Sequence, residues 1–537
     1  METNEDDLPF SVFRVSSSND NFDTTTFFTD EIEDNFTKEL RRTARFHHYD
    51  HLLWAVITGV VAFIFASFSL SANGVANAVG VAVGAGVLKI RHAVYTCLAF
   101  QLIAFVYVAL TASQTEFQYV IDLKSYHQRR SHLLLGQVAL LIGLATINMV
   151  TTYKKFPIST GQSVVGASIG FTVVLNGVHG VRWSQIVPIV LTWIFSPILS
   201  SLCSLFVFSL IDKFILRKKN YLEYTSWLLP VLYFFSTSIN VFALMQQTVN
   251  DFNLANGIPF QFPLLTSLML GFVVALLVWF FIEPMLRTHI EFHELQNLPP
   301  LPRDPPTIRI KRFRVKKVPN PVEPTRFMMT VDGGRTQVFN QIRKTGIKRF
   351  HSILNRVLRK FIHKQKQQRE YAIEYQFGSA LLFTASFAAF MQSIQNIRES
   401  IVPLASLISV YKHHRLTSSA APNPLIVSFV LFSICSGIIL WGARVIETVG
   451  KLAKLNAVTA FVAQISTITT VVVSHQLGIL ASTTCCQVGA IITVGLASDP
   501  NGVDWKLARN VLIVWAIALF GTGILVAILS YFLHFSL

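Results

Sequence analysis

Charge is what this chain of 537 residues has least of: Asp, Glu, Lys and Arg together make up 14% of it, against 52% apolar residues. A soluble globule carries about a quarter of its residues charged, so the composition excludes one and predicts a polytopic membrane protein. Cysteine is sparse too. Cys97, Cys203, Cys435, Cys485 and Cys486 stand in apolar segments without CxxC spacing. That excludes a disulfide framework or a zinc site and predicts small buried side chains. No glycine-rich nucleotide loop, catalytic triad or metal-binding cluster interrupts the apolar sequence, so neither an enzyme nor a cofactor is expected. A cleavable leader is also missing: residues 1–39 hold eleven Asp/Glu against only Arg14 and Lys38, and read as a disordered acidic tail.

What is present is apolar and long. Runs able to cross roughly 30 Å of hydrocarbon as helices lie at 52–72, 92–112, 133–152, 184–211, 224–246, 260–285, 375–395, 423–443, 457–474 and 508–535. Shorter or glycine-interrupted pieces lie at 74–88, 157–178, 399–411 and 476–497. The expected fold is an all-α polytopic membrane protein with about 12 transmembrane helices, some of them broken.

The net charge of +16 is concentrated, because residues 287–369 hold twenty Lys/Arg against five Asp/Glu. The positive-inside tendency puts this stretch in the cytoplasm. Its first half is proline-rich and extended. In its second half, KRFHSILNRVLRKFIHK (348–364) spaces apolar residues helically between basic ones, which suits a helix lying on anionic lipid rather than nucleic acid. The expected domains are an acidic tail at 1–48, a first membrane repeat at 49–213, connecting transmembrane helices at 214–285, a basic cytoplasmic loop at 286–373 and a second membrane repeat at 374–537.

The repeats are visible as sequence. SANGVANAVGVAVGAG (71–86), FPISTGQSVVGASIGF (156–171) and GVRW (180–183) are answered downstream by ASTTCCQVGAI (481–491) and GVDW (502–505). Ser159 stands seven positions before Gly166, and Ser482 seven before Gly489. Counting the hairpins as re-entrant leaves an odd number of crossings in each unit, which favours inverted repeats around a central site. The glycines of 71–86 permit either close helix packing or unwinding of backbone at membrane depth. Pro157, Ser159 and Thr160 suit the start and cap of a helix, and Ser482, Thr483 and Thr484 offer the same hydroxyls from the other unit. A helix start carries about half a positive charge and free N–H donors, so a tetrahedral oxyanion is its natural guest. Arg398, beside Glu399 in an apolar stretch, could supply a fixed positive charge to that anion or simply pair with its neighbour.

These motifs resemble the inorganic phosphate transporter (PiT) family, the sodium- or proton-coupled phosphate permeases. SANGVANA (71–78) is similar to its first signature, Gly-Ala-Asn-Asp-Val-Ala-Asn-Ala. PISTGQSVVGA (157–167) and ILASTTCCQVGA (479–490) are similar to its hairpin signature. WGARVIETVGK (441–451) and WSQIVPIVLTWIFSPILS (183–200) match further stretches of the family. The resemblance implies a permease of inorganic phosphate at the plasma membrane, with phosphate held by Ser159, Thr160, Gln162, Ser482, Thr483 and Thr484, to which the charge of Arg398 adds a further candidate. It implies cation positions at Asn73, Asn77, Gln101, Asn396 and Gln464, with sodium or protons as the coupling ion. The departures are specific. Gly74 and Asn396 stand where the signatures have Asp, Gln101 and Gln464 stand where the family has membrane glutamates, and Gln162 and Cys485 stand at the hairpin His positions. All four acidic positions are therefore neutral, which leaves sulfate transport, uncoupled phosphate transport and a non-transporting phosphate sensor as alternatives. An oligomer is left open.

Overall fold

The computed structural model describes residues 52–111, Tyr126, 129–217, 221–251, 258–296, 368–413, 424–477 and 481–535. The acidic tail and nearly all of the basic loop, with its amphipathic segment, lie outside the described residues. The chain divides at Trp54 into two compact units. The first contributes only the short stretch Leu52–Trp54 to the described residues, and the second is Ala55–Leu537.

Helices account for almost everything described: α1 (Leu53–Gly84), α2 (Ile90–Thr111), α3 (Arg130–Tyr153), α4 (Thr160–Asn176), α5 (Trp183–Ile211), α6 (Tyr221–Asp251), α7 (Gln261–Leu277), α8 (Glu283–Gln296), α9 (Gln368–His413), α10 (Pro424–Gly437), α11 (Ala443–Gly450), α12 (Ala457–Gln476), α13 (Thr483–Ser498), α14 (Trp505–Ala516) and α15 (Thr522–His534). Single π-turns join α7 to α8, α10 to α11 and α14 to α15 into continuous rods, and another extends α5. Among the described residues an isolated β-bridge pairs Ala453 with Val503. Ten helices or rods among the described residues are long and apolar enough to cross a membrane, one for each long run in the sequence, and the chain is a multi-pass membrane protein. α4 and α13 are shorter.

Two expectations change in detail. The pieces at 74–88 and 399–411 are not separate: α1 stays helical to Gly84, and α9 runs through Pro403 to His413. The α1 glycines serve packing rather than unwinding. A Cβ on Gly80 would stand 2.8 Å from the Val449 side chain, and one on Gly84 would stand 2.6 Å from the backbone of Gly450. Such small-residue seams let helices approach where no hydrophobic force separates protein from lipid.

Burial sorts the rods. In α7–α8 only 17% of the most apolar window is buried, against 72% in α3 and in α12. α7 therefore presents Leu265, Met269 and Phe272 outward, with Phe280 beyond them in the π-turn, an apolar surface suited to hydrocarbon. At the centre, α4 packs on α3 and α15, while α13 packs on α12 and α5. Each short helix thus leans on a long helix from the other end of the chain. The paired glycines of the hairpin motif make both contacts: a Cβ on Gly166 would meet Leu519 O at 2.0 Å, and one on Gly489 would meet Pro197 O at 2.4 Å. α1 and α10 are clipped reciprocally, Ser71 Oγ donating to Ile434 O at 3.0 Å and Ser433 Oγ donating to Ile64 O at 2.6 Å. Cys97, Cys485 and Cys486 are buried; Cys203 and Cys435 are partly so.

Candidate functional site

The site is built where the starts of α4 and α13 meet. After α3 ends at Tyr153, Lys155 takes a left-handed backbone (φ 68°) and the chain turns back. Asn73 on α1 holds that turn with its whole carboxamide. Its Oδ1 accepts from Ile158 N–H at 2.9 Å, and its Nδ2 donates to Phe156 O at 2.9 Å and to Thr152 Oγ1 at 3.1 Å. Trp515 Nε1 adds a bond to Pro157 O at 3.1 Å. One turn further along α1, Asn77 Nδ2 donates to Thr484 Oγ1 at 2.9 Å, and the Thr484 hydroxyl donates to Ile158 O at 3.4 Å. A single face of α1 therefore ties both hairpin tips together.

Ser159 is the N-cap of α4 and Ser482 the N-cap of α13. Ser482 Oγ accepts from Cys485 N–H at 3.3 Å and donates to Ser159 Oγ at 3.0 Å. Ser159 occupies the capping position that its sequence context predicts, but its side chain caps nothing within α4. Its hydroxyl bonds across to the other helix start instead. Gln162 Nε2 donates to Cys485 Sγ at 3.7 Å. Both cross-pairs, Ser159 with Ser482 and Gln162 with Cys485, join positions 323 residues apart.

The Thr160 side chain lies beside the Glu399 carboxylate, which accepts from Gln395 Nε2 at 2.7 Å. Thr160, Ser482, Thr483, Arg398 and Glu399 are partly accessible and Gly161 is exposed, whereas Ser159, Gln162 and Thr484 are buried. Accessible polar groups amid buried ones mark the opening at the two helix starts. Glu399 joins the candidate site here; the sequence reading weighed it only as a possible pair for Arg398. Counting would have found it: Asn73 and Asn77 are four apart in the first signature, Gln395 and Glu399 four apart in the second.

The remaining residues group less tightly. Asn396 accepts from Gln392 Nε2 at 3.1 Å, and its Oδ1 lies 2.5 Å from where a Cβ on Gly74 would stand. The space vacated at Gly74 is thus taken by the carboxamide of the other signature. Gln101 Nε2 donates to Ser393 O on α9 at 3.5 Å, and Gln464 Oε1 accepts from Gln487 Nε2 on α13 at 3.4 Å. Gln101 Oε1, Gln162 Oε1, Gln487 Oε1 and Asn396 Nδ2 are buried without a hydrogen-bond partner. Each such orphan costs about 1–3 kcal/mol unless water or a ligand satisfies it.

The profile of the phosphate transporter family matches residues 70–526. The mouse "Sodium-dependent phosphate transporter 1" (Mus musculus) is 25% identical, the alignment covering 89% of this chain and 95% of that one. "Sodium-dependent phosphate transporter 2" of Xenopus laevis is 26% identical over 90% of this chain and 99% of its own length. A solved structure, "The sodium-dependent phosphate transporter", superposes with a TM-score of 0.63 at 22% identity, covering 90% of this chain and all of that one, and so shares the fold. The profile match takes in both hairpins and every site residue described above, and the chain belongs to the phosphate transporter family.

Proposed function

We propose that this chain carries inorganic phosphate across the plasma membrane, coupled to sodium, by binding the anion between the starts of α4 and α13. The observation that carries this reading is the 3.0 Å contact between Ser159 Oγ and Ser482 Oγ. Two N-caps in contact bring the positive ends of two helices together, an arrangement that repels unless an anion lies between them. The amides of Thr160, Gly161, Thr483 and Thr484 have no intrahelical acceptor, and Ser159, Thr160, Ser482, Thr483 and Thr484 add hydroxyl donors beside them. Phosphate would part the two serines and take up their hydrogen bonds. Gln162, which reaches Cys485 Sγ on the other helix start, and Arg398, next to Glu399 on α9, would complete the proposed anion surroundings.

Alternating access follows from the pairing of the halves, which we take to be inverted repeats. Equivalent positions of two copies touch one another only beside a two-fold axis, and the two contacts at a separation of 323 support one running between the hairpins. Rocking one half against the other about that axis would open the site to each side in turn. Sodium coupling is supported by the names of the relatives and by the orphaned buried oxygens of Gln101 and Gln162. Asn73, Asn77, Asn396 and Gln464 complete the proposed cation surroundings.

The test is uptake of radiolabelled phosphate into proteoliposomes under separately imposed sodium and proton gradients. Accumulation driven by an inward sodium gradient, with little competition from sulfate, is expected. Equilibration alone would indicate an uncoupled carrier, strong sulfate competition a different substrate, and binding without uptake a sensor.

A further inference from the structure

The two signatures have lost their aspartates, to Gly74 and Asn396, yet the site contains a carboxylate. We propose that Glu399 carries the negative charge of the transport site and forms a sodium site with the Thr160 hydroxyl and the oxygens of the first hairpin. This rests on the transport reading above and assigns its coupling ion a residue.

The geometry supports the assignment from both halves. Asn77 on α1 bonds Thr484 at the second hairpin; Glu399 on α9 meets Thr160 at the first. The two occupy the same place in their signatures and each meets a threonine in the first turn of the other half's short helix, except that one is a carboxamide and the other a carboxylate. The chain therefore has one acid at the hairpin tips, displaced three positions along α9 from where its signature would hold it. Gln395 Nε2 donates to Glu399 Oε1 at 2.7 Å, a short contact that fixes the orientation of the carboxylate. Glu399 is also partly accessible, so a cation can reach it.

Charge gives the arrangement its consequence. A carboxylate one hydroxyl away from the phosphate position repels the anion, and at membrane depth little solvent screens the repulsion. A hard cation between them reverses the sign and takes several oxygen ligands in doing so. Sodium and phosphate would then each raise the other's affinity, as reciprocal linkage requires.

The experiment reads sodium binding without relying on phosphate. Purified protein in phosphate-free buffer is melted in sodium chloride and in equimolar choline chloride. Wild type is expected to melt higher in sodium, because a ligand bound only by the folded state stabilises it. Glu399→Gln, nearly isosteric, is expected to weaken the apparent sodium affinity about tenfold or more, the range of a charge-assisted contact. Glu399→Asp should retain part of the sodium shift, and Glu447→Gln, whose carboxylate pairs with Lys451, all of it. A full sodium shift in Glu399→Gln, or a wild-type shift that follows pH but not sodium, would overturn the proposal. Stabilisation by phosphate is measured as a separate arm, so its absence would count against the transport reading and leave the sodium result standing.

Discussion

Asn73 commits every polar atom of its side chain to one turn, and the cost of removing it can be stated. Asn73→Ala would leave Ile158 N–H and Phe156 O without partners in a buried setting, a loss of about 1–3 kcal/mol for each unpaired group. The variant is expected to melt lower than wild type and to bind phosphate more weakly, read by calorimetry on the purified protein; unchanged melting would show that the turn holds itself. The serines, threonines and amides of the hairpins were legible in the sequence because polar residues are conspicuous in an apolar run. Their division of labour was not. That Asn73 clamps the turn at Ile158, and that Thr160 lies beside Glu399, depends on which turn of which helix lies alongside, and local spacing carries no record of that.

At the scale of elements, the two short helices are seated by glycine. A methyl group at Gly166 or Gly489 would overlap a carbonyl oxygen of α15's approach or of α5, and backbone cannot turn aside as a side chain can. Gly166→Ala and Gly489→Ala should each destabilise the protein by more than about 1 kcal/mol, in the range of overpacked cores, and lower phosphate uptake. Gly378→Ala, whose added carbon would find Val87 at an ordinary 3.6 Å, should be near neutral. Equal effects at all three positions would dissociate the hairpin glycines from packing. The matched Val-Gly-Ala motifs announced these contacts, since a seven-residue interval repeated in two distant places implies a shared geometry. The long spans were equally plain, each run of apolar residues becoming one rod. What the sequence obscured was continuity. Gly74, Gly80 and Gly84 read as a break, yet α1 continues through them because the neighbouring side chains and the Gly450 backbone fill the space at their Cα atoms.

For the molecule as a whole, the decisive feature is that neither half can form the site alone. α4 is supported by α15, α13 by α5, and α1 reaches both hairpin tips through Asn73 and Asn77. Composition alone shows a membrane protein and the repeated motifs place a site, but the crossing of support between halves is a tertiary fact that no single segment encodes. It follows that phosphate should depend on both halves to a similar degree. The most direct test is equilibrium binding of phosphate to purified wild type, Ser159→Ala and Ser482→Ala. Each substitution removes one of two facing hydroxyl donors to a charged ligand, worth about 1.5–3 kcal/mol, so each variant should bind at least tenfold more weakly. Wild-type affinity in either variant would contradict a phosphate site shared between the two hairpins.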